Sequence, residues 1–346
     1  MRVQIRNTGR EFEVRPGQSL LDAAIGAGLN LPHSCKGGNC GSCVAQLLHG
    51  RTHYPNGPPL GISSAQIADR FVLLCQARAL TDVEVDIQTV APAGELNVKR
   101  LPCRIERCEL LCQDVMGVFL RLPAAEEFSF QAGQYIDVLL SGGRRRSFSI
   151  ASPPQGSHLL ELHVRLVPGG ELTTTLFANP ENRRLLSIEG PLGQFVYRKT
   201  AAPMLLVGGG TGFAPLNSLI RHVLDSGAQR SMTLYWGCRT EQDLYAHAQI
   251  LALALAHPAL LRYNPVLSTG SPQWTGERGL VHEAVLRGVA ELASYDIYAA
   301  GPPAMIAAVR TGFAAAGAVP ERLFFDSFDY APDSVERQRN TALSNS

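Results

Sequence analysis

The spacing of four cysteines constrains this chain more than any other feature. Cys35, Cys40 and Cys43 follow one another as Cys-x4-Cys-x2-Cys in a glycine-rich stretch, and Cys75 lies well downstream. Three thiolates from one tight loop plus a distant fourth is the ligand spacing of a plant-type [2Fe–2S] cluster, in which the chain wraps the iron and turns backbone N–H groups toward the sulfurs. Gly37, Gly38 and Gly41 suit such a loop, because inward-turned amides need positive φ and no side-chain bulk. A four-cysteine zinc site is the rival, but zinc ligands usually come as two short Cys-x2-4-Cys pairs, and only Cys40 and Cys43 form one. His33 beside the loop invites a Rieske reading, which would need two histidines in place of two cysteines.

The chain has 346 residues, enough for two or three domains. Its 31 Lys+Arg against 30 Asp+Glu leave a net charge of +1, so no general field for nucleic acid exists. The longest apolar runs, such as Ile250 to Ala256, are far too short to span a bilayer, and Met1–Arg6 has no apolar signal core. These features predict a soluble, cytoplasmic protein with no membrane span. Eight cysteines without an export signal then argue for metal or redox chemistry rather than a disulfide scaffold. Cys103, Cys108 and Cys112 are expected to be small buried hydrophobes. On a regular strand Cys103 would point away from the other two.

Residues 1–92 read as a small mixed α/β domain with its cysteines on a loop: strands at Arg2–Arg6 and Glu11–Arg15, a helix capped by Ser19 with apolar Leu20, Leu21, Ala24 and Ile25, and strands at Val44–Leu48 and Val83–Ile87. Ala91-Pro92-Ala93-Gly94 reads as a linker. Residues 98–200 carry short β-type runs at intervals typical of an antiparallel barrel. Residues 201–333 alternate strand and helix patterns, which predicts a parallel sheet with crossover helices. The polar stretch 334–346 is expected to be disordered.

Two pieces of the middle segment suit a flavin. Arg144-Arg145-Arg146-Ser147-Phe148-Ser149 combines guanidinium, a planar ring and hydroxyls, and Gly169-Gly170-Glu171-Leu172-Thr173-Thr174 reads as a turn into a helix whose first amides face a pyrophosphate. In the last segment Gly208-Gly209-Gly210-Thr211-Gly212-Phe213 leads from a buried strand into an amphipathic helix, the physics of a dinucleotide loop, although Phe213 breaks the strict fingerprint. Cys238 ends the next strand, where it is expected to line a pocket. No acidic residue stands out for a ribose; Arg239-Thr240 follows instead, a guanidinium for a 2′-phosphate or for stacking on adenine. His163, His222, His247 and His282 carry no visible catalytic partner, and Phe324-Phe325-Asp326-Ser327-Phe328 is either a final buried strand or a flap.

Taken in order, these motifs resemble the ferredoxin-containing NAD(P)H reductases of the ferredoxin-NADP reductase-like superfamily over nearly the whole chain. Members include reductase components of ring-hydroxylating dioxygenases and multicomponent monooxygenases, and the CDP-6-deoxy-delta-3,4-glucoseen reductase type. The matching residues are Cys35 to Cys43 with Leu74-Cys75, Arg146 to Ser149, Gly190-Pro191-Leu192-Gly193, Gly208 to Pro215, Ala300 to Met305, and Asp326-Ser327-Phe328. The resemblance implies a β-grasp [2Fe–2S] ferredoxin domain, an antiparallel FAD-binding β-barrel and a parallel-sheet nucleotide-binding domain. It implies Cys35, Cys40, Cys43 and Cys75 as cluster ligands, Arg146 on the FAD phosphates, Phe148 stacked on the flavin and Ser149 near its N5. Gly169, Gly170 and Thr173 fall to the FAD pyrophosphate, Gly208, Gly209, Gly210, Thr211 and Gly212 to the nicotinamide coenzyme, and Gly301-Pro302 to its nicotinamide end. Ser147, Val164, Cys238, Arg239 and Phe328 join the cofactor-binding set, and Ser149 and Asp326 are the candidate catalytic residues. Phe148 stands where the family usually has Tyr, and Ala300 where many members have Cys.

The expected function is electron transfer from NAD(P)H, with NADH the favoured coenzyme, through FAD and the cluster to a partner protein. That partner is either an oxygenase component or an iron–sulfur dehydratase. A redox-sensing module and a free-flavin reductase are the alternatives.

Overall fold

The computed structural model describes residues 1–29, 31–87, 98–155, 159–181 and 183–328. The linker expected at Ala91–Gly94 and the tail 334–346 lie outside them. The N-terminal sheet runs in the order Arg10–Glu13, Arg2–Ile5, Val83–Asp86, Val44–His49, Phe71–Leu73, with only the Arg2 and Val83 strands parallel. Alternation of Val3 and Ile5 with polar neighbours buries one face. The helix Leu20–Gly26 packs Leu20, Leu21, Ala23 and Ala24 onto that face, and Ser19 Oγ caps it by accepting from Asp22 N at 3.0 Å. This is a β-grasp domain.

The middle sheet has six antiparallel strands in the order Arg145–Ser149, Tyr135–Leu139, Leu185–Leu192, Lys99–Cys112, Val115–Arg121, Leu159–Arg165. A bridge between Ile150 and Leu162 closes it into a barrel. Pairing along Lys99–Cys112 shifts between Ile105 and Arg107, and this corrects the strict alternation expected there. The irregularity resets the parity, so Cys103 sits in the barrel core and Cys108 packs against the same core instead of pointing away.

The last sheet is parallel throughout: Glu277–Arg278, Leu261–Leu267, Met232–Cys238, Met204–Gly209, Asp296–Gly301, Leu323–Ser327. Strand order runs one way from Met204 through Glu277 and the other way from Asp296, so a crevice opens at the carboxyl ends of the Met204 and Asp296 strands. The Phe324-Phe325-Asp326-Ser327 run is the final core strand. Asn217 Nδ2 donates to Ala151 O at 3.0 Å and Ser218 Oγ to Ser152 O at 2.7 Å, joining this domain to the barrel.

Candidate functional site: one cavity across three domains

A single cavity of about 1440 Å³ extends from Cys35 and Lys36, across Arg146, Ser147, Phe148, Ser149, Gly170 and Thr173, to Gly209, Gly210, Thr211, Cys238 and Arg239. Pro302, Asp326, Ser327 and Phe328 line it too. The two flavin pieces read from the sequence are neighbours. Arg144, before the Arg145–Ser149 strand, pairs with Glu171 at 2.6 Å in the first turn of the Glu171–Ala178 helix. Thr173 Oγ1 donates to Val167 O at 3.2 Å, and a Cβ on Gly170 would come within 2.7 Å of that oxygen atom of Thr173. The turn therefore admits only glycine close to the helix amides.

Val164 is placed differently from its expected neighbours. Strand alternation turns its side chain into the barrel core, 1% exposed, while His163 and Arg165 face the cavity. His163 bonds Tyr245 Oη and Glu161, which makes it a partnered wall residue.

At the cluster loop the four thiols come together in two pairs. Cys35 and Cys40 hydrogen bond through their side chains, which raises Cys35 well above its ordinary pKa and lowers Cys40 to about 6; Cys43 and Cys75 form the second pair, raising Cys75. Cys75 N donates to Cys43 Sγ at 3.5 Å. Among the described residues no three such groups surround a single metal point. Two pairs of thiols suit a two-iron cluster, which divides four thiolates between two irons. The loop is closely wound: Gly38 and Gly41 have φ of 86° and 79°, and Gly61 N donates to Gly38 O at 2.7 Å.

The flavin and cluster regions share a buried carboxylate. Ser149 Oγ donates to Asp326 Oδ2 at 3.1 Å and Ser34 Oγ to Asp326 Oδ1 at 3.2 Å. Burial, and after it the charge of Cys40, push the Asp326 carboxyl up to about 7 against those two hydrogen bonds. Tyr135 Oη and Ser327 Oγ, both on residues lining the cavity, are buried with no hydrogen-bond partner among the described residues. Orphaned hydroxyls in a wall of this kind fit a polar ring system such as a flavin, which supplies the missing partners. Tyr135 was not singled out in the sequence; its position opposite Ser149 in the paired strand is what brings it here.

At the coenzyme end, Trp236 Nε1 donates to Gly210 O at 3.0 Å and stacks on Phe213 at 4.2 Å, fixing the glycine loop. Gly208, Gly212 and Gly301 support the loop from behind: a Cβ on Gly212 would lie 2.0 Å from Ala300 O. Arg165 reaches the loop from the barrel and pairs with Asp114 at 2.8 Å. Cys238 has its thiol pushed up to about 12, chiefly by burial, and so lines the cavity as a neutral group. An acidic residue does stand here, contrary to the sequence expectation. Asp243 lines the cavity, held by Thr240 N at 3.0 Å and with Arg239 Nε at 3.7 Å.

Fold and cavity together define a three-domain redox protein built to hold an iron–sulfur cluster, a flavin and a pyridine nucleotide along one line. Residues 3–80 match the 2Fe-2S iron-sulfur cluster binding domain, 102–197 the oxidoreductase FAD-binding domain and 206–311 the oxidoreductase NAD-binding domain. The chain is 34% identical over 328 residues to the CDP-6-deoxy-L-threo-D-glycero-4-hexulose-3-dehydrase reductase of Yersinia pestis, covering 95% of this chain and 98% of that one. It is 32% identical to the xylene/toluene monooxygenase electron transfer component XylA of Pseudomonas putida, over 95% of this chain and 94% of the relative. The crystal structure of the Amycolatopsis cytochrome P450 reductase GcoB superposes with a TM-score of 0.77 at 33% identity, over 95% of this chain and 98% of that one. The chain belongs to the ferredoxin-containing NAD(P)H reductases of the ferredoxin-NADP reductase-like superfamily, and it is an NAD(P)H-dependent flavo-iron-sulfur oxidoreductase. Its domains are those that bind a [2Fe–2S] cluster, FAD and NAD(P)H. Among the described residues no helix is long and apolar enough to cross a membrane.

Proposed function

We propose that the chain is the cytoplasmic reductase component of a two-protein system whose electron acceptor is a CDP-hexulose dehydrase. The full-length likeness to the Yersinia pestis reductase supports this acceptor. A cytoplasmic site is supported by the use of cysteine: four of the eight are spaced for a cluster rather than for disulfides, which suits a compartment that keeps thiols reduced. When bound, the three groups turn the electron pair of NAD(P)H into single electrons. The observation that carries this reading is the one cavity that reaches both the Cys35 loop and the Gly209–Thr211 loop.

We assign the residues' parts accordingly. Cys35, Cys40, Cys43 and Cys75 hold the cluster. Arg146, with Gly170 and Thr173, clamps the FAD phosphates, Phe148 offers its ring face, and Ser149, oriented by Asp326, presents its hydroxyl to the ring edge. Gly209 to Thr211 approach the coenzyme phosphates and Pro302 bounds its nicotinamide end. Domains 1–92, 98–200 and 201–333 carry these tasks in turn.

The second reading, an oxygenase component as acceptor, is favoured by the likeness to XylA. Anaerobic titration with NADH and NADPH, followed by flavin and cluster absorbance and EPR, tests the internal chain. Bleaching of both chromophores is expected, and a silent cluster would leave a free-flavin reductase or a sensor. Reconstitution with a CDP-hexulose dehydrase and with an oxygenase component tests the acceptor. Product formation with the oxygenase alone would overturn the dehydrase assignment.

A further inference from the structure

The helix Pro303–Ala315 belongs to the coenzyme domain, yet one of its side chains grips the cluster loop. Arg310 Nη1 donates to Asn39 O at 3.1 Å and Nη2 to Leu60 O at 2.6 Å. The first carbonyl belongs to the peptide whose N–H is that of Cys40. The second belongs to the peptide whose N–H, Gly61 N, donates to Gly38 O at 2.7 Å. The guanidinium thus pulls on two peptides that frame the cluster loop, and hydrogen bonds in series polarise one another. Arg310 also stands close to Gly41, where a Cβ would be 3.7 Å from Nη1. On the same side, Cys40 is buried in the coenzyme-domain core with Val207, Ile306 and Val309, and Cys35 packs against it.

We propose that Arg310 is a positioning residue for the iron–sulfur centre, clamping its loop to the coenzyme domain and raising the reduction potential of the cluster relative to the flavin. A fixed cation favours the more negative redox state, and hydrogen bonding and net charge about the sulfurs are the levers that set such potentials. A guanidinium donates to two carbonyls in one plane, which lysine cannot reproduce, while lysine keeps the charge. The inference rests on Cys35, Cys40, Cys43 and Cys75 as the ligands. By linkage the contact also tightens when the electron arrives, so the reduced cluster domain is held more firmly than the oxidised one.

The test is a potentiometric titration of the full-length holoprotein and of Arg310→Lys, Arg310→Gln and Arg310→Met, reading the cluster by EPR and the flavin by absorbance. Arg310→Gln and Arg310→Met are expected to shift the electron distribution about tenfold toward the flavin, 59 mV for a one-electron couple. Arg310→Lys falls between them and wild type. The flavin midpoint and the rate of flavin bleaching by NADH stay unchanged. If Arg310→Met does not retain its cluster, the Lys and Gln variants decide: Gln displaced beyond Lys supports the proposal, and the two alike overturn it. Unshifted midpoints in all variants also overturn it, whereas an absent cluster signal in wild type would refute the ligand assignment instead.

Discussion

Lys36 Nζ lies 2.9 Å from Asp137 Oδ2, joining the residue after the first cluster cysteine to the barrel strand that pairs with Arg145–Ser149. Lys36 adopts φ 53°, a conformation side chains rarely take, and its ammonium also sits 5.5 Å from the Tyr135 ring centroid. Asp137 is 1% exposed and accepts from Ser147 Oγ at 2.6 Å. Removing one partner of a buried pair costs about 3–5 kcal/mol, reduced here because the lysine is partly solvated and Arg145 Nη1 stands 3.5 Å from the same carboxylate oxygen. Lys36→Met should leave flavin reduction by NADH intact and slow electron arrival at the cluster roughly tenfold, equivalent to about 1.4 kcal/mol. Stopped-flow absorbance separates the two steps. Adding Asp137→Asn should restore part of the loss, because it removes a buried charge left with Arg145 as its remaining cation.

Asp243 is expected to bias the coenzyme toward NADH. The carboxylate lies just beyond the end of the strand neighbouring the glycine loop, the position where an acid meets a ribose 2′-hydroxyl and repels a 2′-phosphate. NADH should therefore exceed NADPH in kcat/KM. Asp243→Ser should narrow the ratio by about tenfold or more, since Arg239 loses its partner and is left to meet a phosphate. A ratio unchanged by the substitution would remove Asp243 from specificity.

What could be read from sequence divides by distance along the chain. Cys35, Cys40 and Cys43, the Arg146–Ser149 run and the Gly208–Gly212 loop are contiguous, and contiguous backbone chemistry is legible without a fold. The Ser19-capped helix was equally plain, because an N-cap and an apolar stripe are local. Asp137, Tyr135 and Arg310 were not singled out, since each meets the cluster loop only through the packing of one domain on another. Lys99–Cys112 reads as extended at its cysteines, but nothing in its largely exposed, charge-rich outer face marks its full length or the shift between Ile105 and Arg107. Local irregularity defeats periodicity at Cys108, and at Val164 strand alternation turns the side chain into the core, away from the site expected for it. The short Ser64–Ala68 helix went unread, although Ser63 and Gln66 form a capping box.

Gly212 and Gly210 serve different ends in the same loop. A Cβ at Gly212 would collide with the Ala300 backbone at 2.0 Å and 2.4 Å, which no side-chain movement relieves. Gly210 has φ 54° and faces only the flexible end of Arg165 at 3.3 Å. Gly212→Ala should destabilise the coenzyme domain by about 3 kcal/mol or more, lowering Tm by many degrees. Gly210→Ala should cost about 1 kcal/mol in stability and express itself mainly as a raised KM for NADH. Thermal unfolding and steady-state kinetics on both variants distinguish the two roles.

Asp326 makes the flavin site sensitive to pH near neutrality. Its carboxyl is raised from 3.8 to about 7 in the fold, so between those values the native protein holds a proton that the unfolded chain has released. Stability from this group is therefore greatest at low pH, falls as pH rises through the window and levels above about 7. Asp326→Asn should raise Tm relative to wild type at pH 8 and much less at pH 5. The same proton governs Ser149. Once Asp326 is ionised, the Ser149 hydroxyl commits its hydrogen to Oδ2; while Asp326 is protonated, that hydrogen is available to a ligand in the cavity. One hydrogen bond is worth about 1 kcal/mol, so FAD should bind roughly fivefold more tightly at pH 6 than at pH 8. Flavin-fluorescence titration of the deflavinated protein measures this, and Asp326→Asn should bind FAD with an affinity that no longer changes across pH 7. A pH dependence that survives in the variant would assign the titration to another group.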